Sequence, residues 1–318
     1  MRENEHSETE PKNAMNNERS EQAAAAETET TPPAKAKAAK KHHRWPALIA
    51  LTLAVIAAAG CLAFVLYASN YYHADDIAIQ ELAIMESGET SGLVYGNTTT
   101  TGGDGNASGN DETPSSQTAV AEQPSATETD DSIDVGDPSS EYGLIIYPGA
   151  KIEPTAYVPL ASKIAEQGVY CRIAKMPFNF AFFRFNKATA LISSAPNVQH
   201  WWIAGHSLGG AMAAYYAGNN ADKLEGVALL AAYSTADLNN KGLKALVIYG
   251  TEDGVLNRTK LQKNAGNLPE DTKTIEIEGG NHAGFGDYGA QKGDGAATIS
   301  ASEQQERTAD AIVDAMRG

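Results

Sequence analysis

The chain has 318 residues and a formal net charge of −16. Residues 1–140 carry 22 acidic and 8 basic side chains, whereas residues 141–318 carry 18 acidic and 16 basic ones. The charge therefore belongs mainly to the N-terminal part, where it is typical of a solvated spacer, and the lack of a basic face disfavours nucleic-acid binding.

The first 68 residues predict a tail followed by a membrane span. Residues 1–45 lack apolar periodicity and predict a disordered cytoplasmic tail. The tail ends in a basic collar formed by Lys35, Lys37, Lys40, Lys41 and Arg44. Residues 46–68 carry no charge and are numerous enough to cross a bilayer as one transmembrane helix.

The positive charges predict the orientation of this span. After the collar, the next Lys or Arg is Lys151. The positive-inside rule therefore predicts a single-pass protein of the cell membrane with a cytoplasmic N-terminus and an extracytoplasmic C-terminal part. A cleaved signal peptide and a lipoprotein signal ending at Cys61 are the two alternatives.

Two segments separate the span from the next patterned region. Residues 69–96 form a membrane-proximal segment, with a short helix expected over 74–85 and a short strand over 92–95. Residues 97–140 are rich in Thr, Gly, Ser, Asp and Pro and predict a disordered acidic linker. We expect this linker to let the following domain move away from the bilayer.

Residues 141–318 alternate between strand and helix patterns. Strands are expected over 142–147, 169–174, 200–204, 224–232, 243–249 and 272–278. Helices are expected over 156–167, 182–193, 208–217 and 302–316, the last with Ser302 as N-cap. This alternation predicts an α/β fold: one mostly parallel sheet with helices on both faces.

The sequence Gly205-His206-Ser207-Leu208-Gly209 lies between the apolar run 201–204 and a helix-compatible run of small residues. Strand, sharp turn and helix with a serine at the apex form a nucleophile elbow. The glycines allow close passage of the chain, and the helix N-terminus favours negative charge. We therefore predict Ser207 as a nucleophile.

Two further motifs supply an acid and a base in the chain order that this elbow requires. Asp253 follows the apolar strand 246–250, and His282 follows the strand 275–278 in a Gly-rich loop. Both lie just past the carboxyl end of a strand, where catalytic groups gather in open α/β sheets. Glu252 and Asp287 are the alternatives to Asp253 as the acid.

From Tyr142 onward the chain resembles the α/β-hydrolase superfamily, in particular its small single-domain branch distantly related to dienelactone hydrolases. The segments that carry this resemblance are 147–151, 205–210, 249–254 and 279–289. It implies a serine hydrolase that acts on an ester, or a thioester, through an acyl-enzyme. An acyltransferase and a non-catalytic cell-envelope binding protein on the same fold are the alternatives.

The resemblance also implies the neighbours of the nucleophile. The backbone N–H groups of Leu208 and Ala150 would form the oxyanion hole. Phe178, Asn179 and Lys151 are substrate-pocket candidates, Phe182 and Phe183 either line the pocket or pack in a helix, and His206 is expected to pack beneath the nucleophile.

The sequence predicts no cofactor, no metal site and no disulfide between Cys61 and Cys171. About ten residues, 233–242, separate two of the strands, which leaves no room for a large cap. We therefore expect an open pocket for a small-molecule substrate with a short acyl group, or for a surface-exposed ester on a larger molecule.

Overall fold

The computed structural model describes residues 45–88 and 123–318; at positions 46 and 47 it describes the backbone alone. Residues 1–44 of the predicted tail (1–45), the predicted strand over 92–95 and residues 97–122 of the predicted linker (97–140) lie outside these ranges. The chain divides after Val55 into two units, and the second unit, residues 56–318, contains the sheet and the candidate site.

Helix α1 spans Trp45–Ser69. Among the described residues, it is the one helix whose length and apolar composition would allow it to cross a membrane, over Leu48–Ser69. Its side chains are largely exposed, as expected of a segment that has no protein core around it.

Eight strands form one sheet, in the order β1-β2-β4-β3-β5-β6-β7-β8. Their bounds are β1 Ala126–Glu128, β2 Ser132–Val135, β3 Tyr142–Tyr147, β4 Val169–Ala174, β5 His200–His206, β6 Gly226–Leu230, β7 Lys244–Gly250 and β8 Lys273–Ile277. The pairs β1–β2 and β2–β4 are antiparallel, and all other neighbours are parallel. This confirms the predicted mostly parallel sheet.

Helices cover both faces of the sheet, because each face carries a continuous row of buried apolar side chains. The helices after α1 are α2 Asp76–Ser87, α3 Val158–Ala165, α4 Lys187–Ser193, α5 Leu208–Asn219, α6 Arg258–Lys263 and α7 Ala301–Arg317. Helices α2, α3 and α7 contribute buried residues to one core, and α4 and α5 contribute to the other. Residues 231–243 form no helix, so no large cap covers the sheet between β6 and β7.

Strands β1 and β2 correct the predicted start of the folded domain at residue 141, since they lie inside the predicted linker. Strand β2 is short, and its apolar Ile133 and Val135 are buried in the core while its Asp134 carboxylate is buried against Arg172 on β4. The carboxylate accepts hydrogen bonds from Arg172 Nε at 3.0 Å and from the Tyr170 hydroxyl at 2.9 Å. The strand is therefore held by apolar contacts on one face and by an ionic pairing on the other.

Residues 72–88 also belong to the domain that contains the sheet and not to a separate membrane-proximal segment. Tyr72 pairs with Ile152, donating its N–H to Lys151 O at 2.6 Å. In α2, Ala78, Leu82 and Met85 are buried in the same core as the sheet. The expected helix over 74–85 exists, and it packs on α3 and β1.

Two predicted element boundaries are wrong at their N-terminal ends. The helix expected over 182–193 begins at Lys187, preceded by a 3₁₀ turn over Ala181–Arg184. Helix α7 is capped by Ser300, whose hydroxyl accepts from the Glu303 N–H at 3.1 Å, and not by Ser302. Both serines suit an N-cap, and the loop that enters the helix selects between them.

Candidate active site

The turn after β5 places Ser207 at the carboxyl edge of the sheet. Ser207 has φ 53° and ψ −122°, a left-handed conformation rare for a residue with a side chain. A Cβ at Gly205 would lie 2.5 Å from the Gly209 backbone, and one at Gly209 would overlap the Pro148 carbonyl. The two glycines therefore allow the strained turn that projects the serine.

Asp253 and His282 come together although 29 residues separate them. The Asp253 Oδ2 atom lies 2.9 Å from His282 Nδ1, and both side chains are buried. The other carboxylate oxygen, Oδ1, accepts from the N–H groups of Val255 and Leu256, each at 2.8 Å. With three partners, the carboxylate has one fixed orientation and faces the imidazole.

The charge state of Asp253 reflects competing effects. Burial alone would raise the pKa of this carboxyl. The hydrogen bond and charge of His282 and the two backbone N–H groups lower the pKa, and their combined effect exceeds that of burial. The net shift is below the ordinary value of 3.8, so Asp253 is a carboxylate at neutral pH. A carboxylate at Nδ1 favours the imidazole tautomer with its free lone pair on Nε2.

The two rival acids lie elsewhere. Glu252 is exposed, and its Oε1 accepts from the Thr251 hydroxyl at 3.1 Å. Asp287 accepts from Gln305 Nε2, in α7, at 2.8 Å. Within the part of the chain that the structure describes, neither carboxylate hydrogen-bonds His282.

The second nitrogen of His282 is available for chemistry. Nε2 is buried and has no hydrogen-bond partner among residues 45–88 and 123–318. A buried, unpaired imidazole nitrogen is costly in a purely structural role, whereas a general base requires one.

The loop after β3 supplies candidate oxyanion donors. The Gly149 N–H donates to the Tyr157 hydroxyl at 2.9 Å, and the Lys151 N–H donates to Asn179 O at 2.8 Å. The intervening Ala150 N–H has no acceptor in the described residues. The Leu208 N–H, at the first position of α5, has no intrahelical acceptor either.

His206 lies beneath the site, where the sequence places it. It is fully buried, and its Nδ1 is 2.8 Å from the Tyr157 hydroxyl. Burial, together with the neighbouring His282, holds the pKa of His206 well below 6.5, so the ring is neutral. Because the Tyr157 hydroxyl accepts from Gly149, we assign its proton to His206 Nδ1.

Asp294 is a site residue that the sequence interpretation missed. Its carboxylate accepts from the N–H groups of His282 at 3.1 Å, Ala283 at 2.8 Å and Gly254 at 3.1 Å. It thereby joins the loop of His282 to the turn of Asp253. The sequence shows only a Gly-rich turn at 291–295, and a role that arises from three distant N–H groups leaves no local pattern.

The pocket candidates occupy one side of the site. Asn179 and Lys151 are joined by their backbone hydrogen bond, and the Lys151 ammonium lies 4.1 Å from the centre of the Tyr67 ring. Phe178, Phe182 and Phe183 are exposed, so the latter two neither pack in a helix core nor line an enclosed pocket.

The comparison with protein-family models matches residues 143–306 to the alpha/beta hydrolase family, a segment that covers half of the chain and all the candidate site residues. The chain belongs to the α/β-hydrolase family. This α/β hydrolase has no match among curated proteins at the level of sequence.

Three solved structures are similar to this α/β hydrolase. Est1E from Butyrivibrio proteoclasticus is 14% identical with a TM-score of 0.46, and covers 62% of this chain and 100% of its own. A predicted CIB-like hydrolase from Thermoplasma acidophilum is 15% identical with a TM-score of 0.44, and covers 60% of this chain and 98% of its own. A structure of Est1E described as having ferulic acid bound is 13% identical with a TM-score of 0.44, and covers 57% of this chain and 92% of its own.

Proposed function

We propose that this hydrolase is a membrane-anchored extracytoplasmic serine esterase with the triad Ser207, His282 and Asp253. The observation that carries the proposal is the Asp253–His282 contact of 2.9 Å, together with a serine held at φ 53° in the turn after β5. A half-buried serine at the apex of a strained turn, an oriented imidazole with a free Nε2 and a buried carboxylate are the parts of nucleophilic acyl transfer.

In the first half-reaction, His282 Nε2 accepts the hydroxyl proton of Ser207 while Oγ forms a bond to the ester carbonyl carbon. The carbonyl oxygen becomes an oxyanion that accepts hydrogen bonds from the Leu208 and Ala150 N–H groups. The tetrahedral intermediate then expels the alcohol, which takes its proton from His282, and the acyl group stays on Ser207.

In the second half-reaction, His282 takes a proton from water, and the resulting hydroxide oxygen bonds to the acyl carbon. The Ser207 oxygen leaves and recovers its proton from His282, and the carboxylic acid is released. Asp253 stabilises the imidazolium during both half-reactions without itself becoming protonated. The substrate is either a small ester or an ester exposed on a larger molecule, because no cap encloses the site.

The serine role is tested by turnover of short p-nitrophenyl esters by the full chain. We expect Ser207→Ala to lower kcat by about 10⁴–10⁶-fold while circular dichroism stays unchanged. Turnover equal to that of the parent chain would contradict the proposal.

Membrane anchoring rests on the apolar segment Leu48–Ser69 and on the basic collar that precedes it. The orientation is tested on intact cells with a membrane-impermeant amine reagent. We expect modification of the exposed Lys263 in the hydrolase domain and none of Lys40 in the collar. The reverse pattern would contradict the orientation.

A further inference from the structure

Three exposed phenylalanines and one half-buried phenylalanine form an apolar surface beside the candidate site. We call Phe178, Phe180, Phe182 and Phe183 the phenylalanine platform. Phe178 is 54% exposed, Phe182 63% and Phe183 47%, and the ring of Phe183 is within 6.1 Å of each of the other three rings. A contiguous aromatic surface of this kind is typical of an interaction site.

The backbone of the platform is strained. Phe178 has φ 56° and Asn179 has φ 57°, two consecutive left-handed residues that are not glycine. Each costs on the order of 1 kcal/mol or more relative to a relaxed conformation. The strained turn does not bury Phe178 but holds its ring outward, so core packing does not account for it.

The platform is continuous with the apolar helix. The ring of Phe64, in α1, lies 5.6 Å from Phe178 and 5.4 Å from Phe183. Phe64 lies inside the segment Leu48–Ser69 that is long enough to cross a membrane. At 1.5 Å per residue, it is about 7–8 Å along the helix from the end of that segment at Ser69. Rings that touch Phe64 therefore lie at the depth of the lipid interface when α1 crosses the membrane.

Tyr67 and Lys151, next to the platform, are residue types that also suit the lipid–water interface. Tyr67 packs against Phe180 at 6.3 Å and lies beneath the Lys151 ammonium. Aromatic rings with a cation at the end of a span are characteristic of the zone of lipid headgroups, where the cation faces phosphate. The Lys151 N–H also binds Asn179 O, so the platform is joined to the loop that carries the Ala150 oxyanion donor.

We propose that the phenylalanine platform lies in the lipid interface and that the site hydrolyses an ester of an amphiphile resident in that bilayer. This inference rests on the proposed esterase function and narrows its substrate class. It departs from the expectation of a short acyl group, which depended on the missing cap alone. With the site held at the membrane, the bilayer accommodates the long acyl chain that no cap of this protein encloses.

The first test measures the depth of the platform. The full chain carrying Phe182→Trp is placed in phosphatidylcholine nanodiscs containing lipids brominated near the headgroup. The matched control is Asp314→Trp, an exposed position near the end of α7, at the opposite edge of the sheet. The fluorescence of the parent chain is subtracted from each.

We expect bromolipid to quench the added fluorescence of Phe182→Trp by about half or more and that of Asp314→Trp not at all. Equal quenching of the two variants would overturn the inference. Because this readout does not involve turnover, it remains valid whether or not Ser207 is the nucleophile.

The second test compares methylumbelliferyl oleate in the nanodisc with soluble methylumbelliferyl acetate. We expect the double variant Phe182→Ser, Phe183→Ser to lower the ratio of oleate to acetate turnover at least about fivefold, because serine partitions poorly into lipid. The double variant Phe182→Leu, Phe183→Leu keeps apolar side chains and should keep the parental ratio.

An unchanged ratio in the serine variant would overturn the substrate class. Equal losses in the serine and leucine variants would also overturn it, since they would assign the effect to ring packing instead of lipid contact. Loss of both activities in Ser207→Ala is expected, and retained acetate turnover in that variant would instead overturn the proposed esterase function.

Discussion

The Asp294 carboxylate accepts a hydrogen bond from the backbone N–H of His282 at 3.1 Å, and the same Oδ1 atom accepts from the Gly254 N–H at 3.1 Å. One side chain thus fixes the spacing between the loop of the candidate base and the turn of the candidate acid. The Asp253–His282 contact depends on this spacing, because the two residues lie on separate loops after β7 and β8.

Asp294→Ala tests the importance of the carboxylate that joins these two loops. Removing the carboxylate leaves the N–H groups of His282, Ala283 and Gly254 without their acceptor, at a cost of about 1–3 kcal/mol in unfolding free energy. We expect kcat to fall by about 10–100-fold, because loss of positioning lowers the rate. The control Asp271→Ala removes an exposed carboxylate before β8 and should change neither kcat nor Tm. A similar loss of kcat and Tm in both variants would contradict the role of Asp294 in joining the two loops.

Asp253→Asn tests which carboxylate orients His282. The amide keeps the shape of the side chain but favours the wrong imidazole tautomer, so kcat should fall by roughly 10³–10⁴-fold. Glu252→Gln alters the exposed neighbour and should change kcat by less than about tenfold. Steady-state kinetics, with circular dichroism as a folding check, distinguishes the two carboxylates. A large loss of kcat in Glu252→Gln with parental kcat in Asp253→Asn would reverse the assignment.

Tyr157→Phe tests the buried hydroxyl that joins the oxyanion loop to His206. Burial raises the pKa of Tyr157, so the phenol stays protonated and serves as donor to His206 and acceptor from Gly149. Its loss should cost about 1–3 kcal/mol in unfolding free energy and lower kcat about tenfold, with KM less affected. Tyr142→Phe is the control, since the described structure gives that hydroxyl no hydrogen bond; equal effects would contradict the role of Tyr157.

Glu81 on α2 predicts a pH dependence of stability. Burial raises the pKa of its carboxyl above 4.5, and nearby Asp287 and Glu166 add to the increase, whereas Ser162 and Lys163 oppose it. The folded state therefore holds the proton more tightly than the unfolded state. The contribution of Glu81 to the unfolding free energy is therefore fully present below pH 4.5 and is lost as the pH rises through its folded pKa.

Glu81→Gln removes this ionisation. We expect its Tm to exceed that of the parent by about 2 °C or more at pH 7 and to equal it near pH 4, as measured by thermal denaturation. Glu86→Gln, at an exposed position of the same helix, should show no such difference. A Tm gain that is the same at both pH values would contradict the titration of Glu81.

The sequence predicts those features whose cause is local. The elbow could be recognised because its five residues form a local motif, in which Gly205 is required by its close approach to the Gly209 backbone, and the long apolar strands show their burial in their composition. Strand β2 was missed because it is short and lies in a polar stretch, and the partners that bury Asp134, Tyr170 and Arg172, lie 36 and 38 residues further on. The role of Asp294 was likewise invisible, because its partners come from two distant loops.

The phenylalanine platform illustrates a second limit of prediction from the sequence. The sequence leaves Phe182 and Phe183 open between pocket lining and packing in a helix, whereas the strained turn at Phe178 and the 3₁₀ turn after it expose both rings. Their relation to the apolar helix arises from contacts of the platform with Phe64 and Tyr67, more than a hundred residues earlier.

The most direct test of Ser207 as the nucleophile is covalent labelling of the full chain with a fluorophosphonate, followed by mass spectrometry of the labelled peptide. We expect one adduct, on Ser207, that is lost in Ser207→Ala and in heat-denatured protein and forms more slowly in Asp253→Asn. An adduct on another residue, or labelling of Ser207→Ala at the rate of the parent chain, would contradict the proposed function.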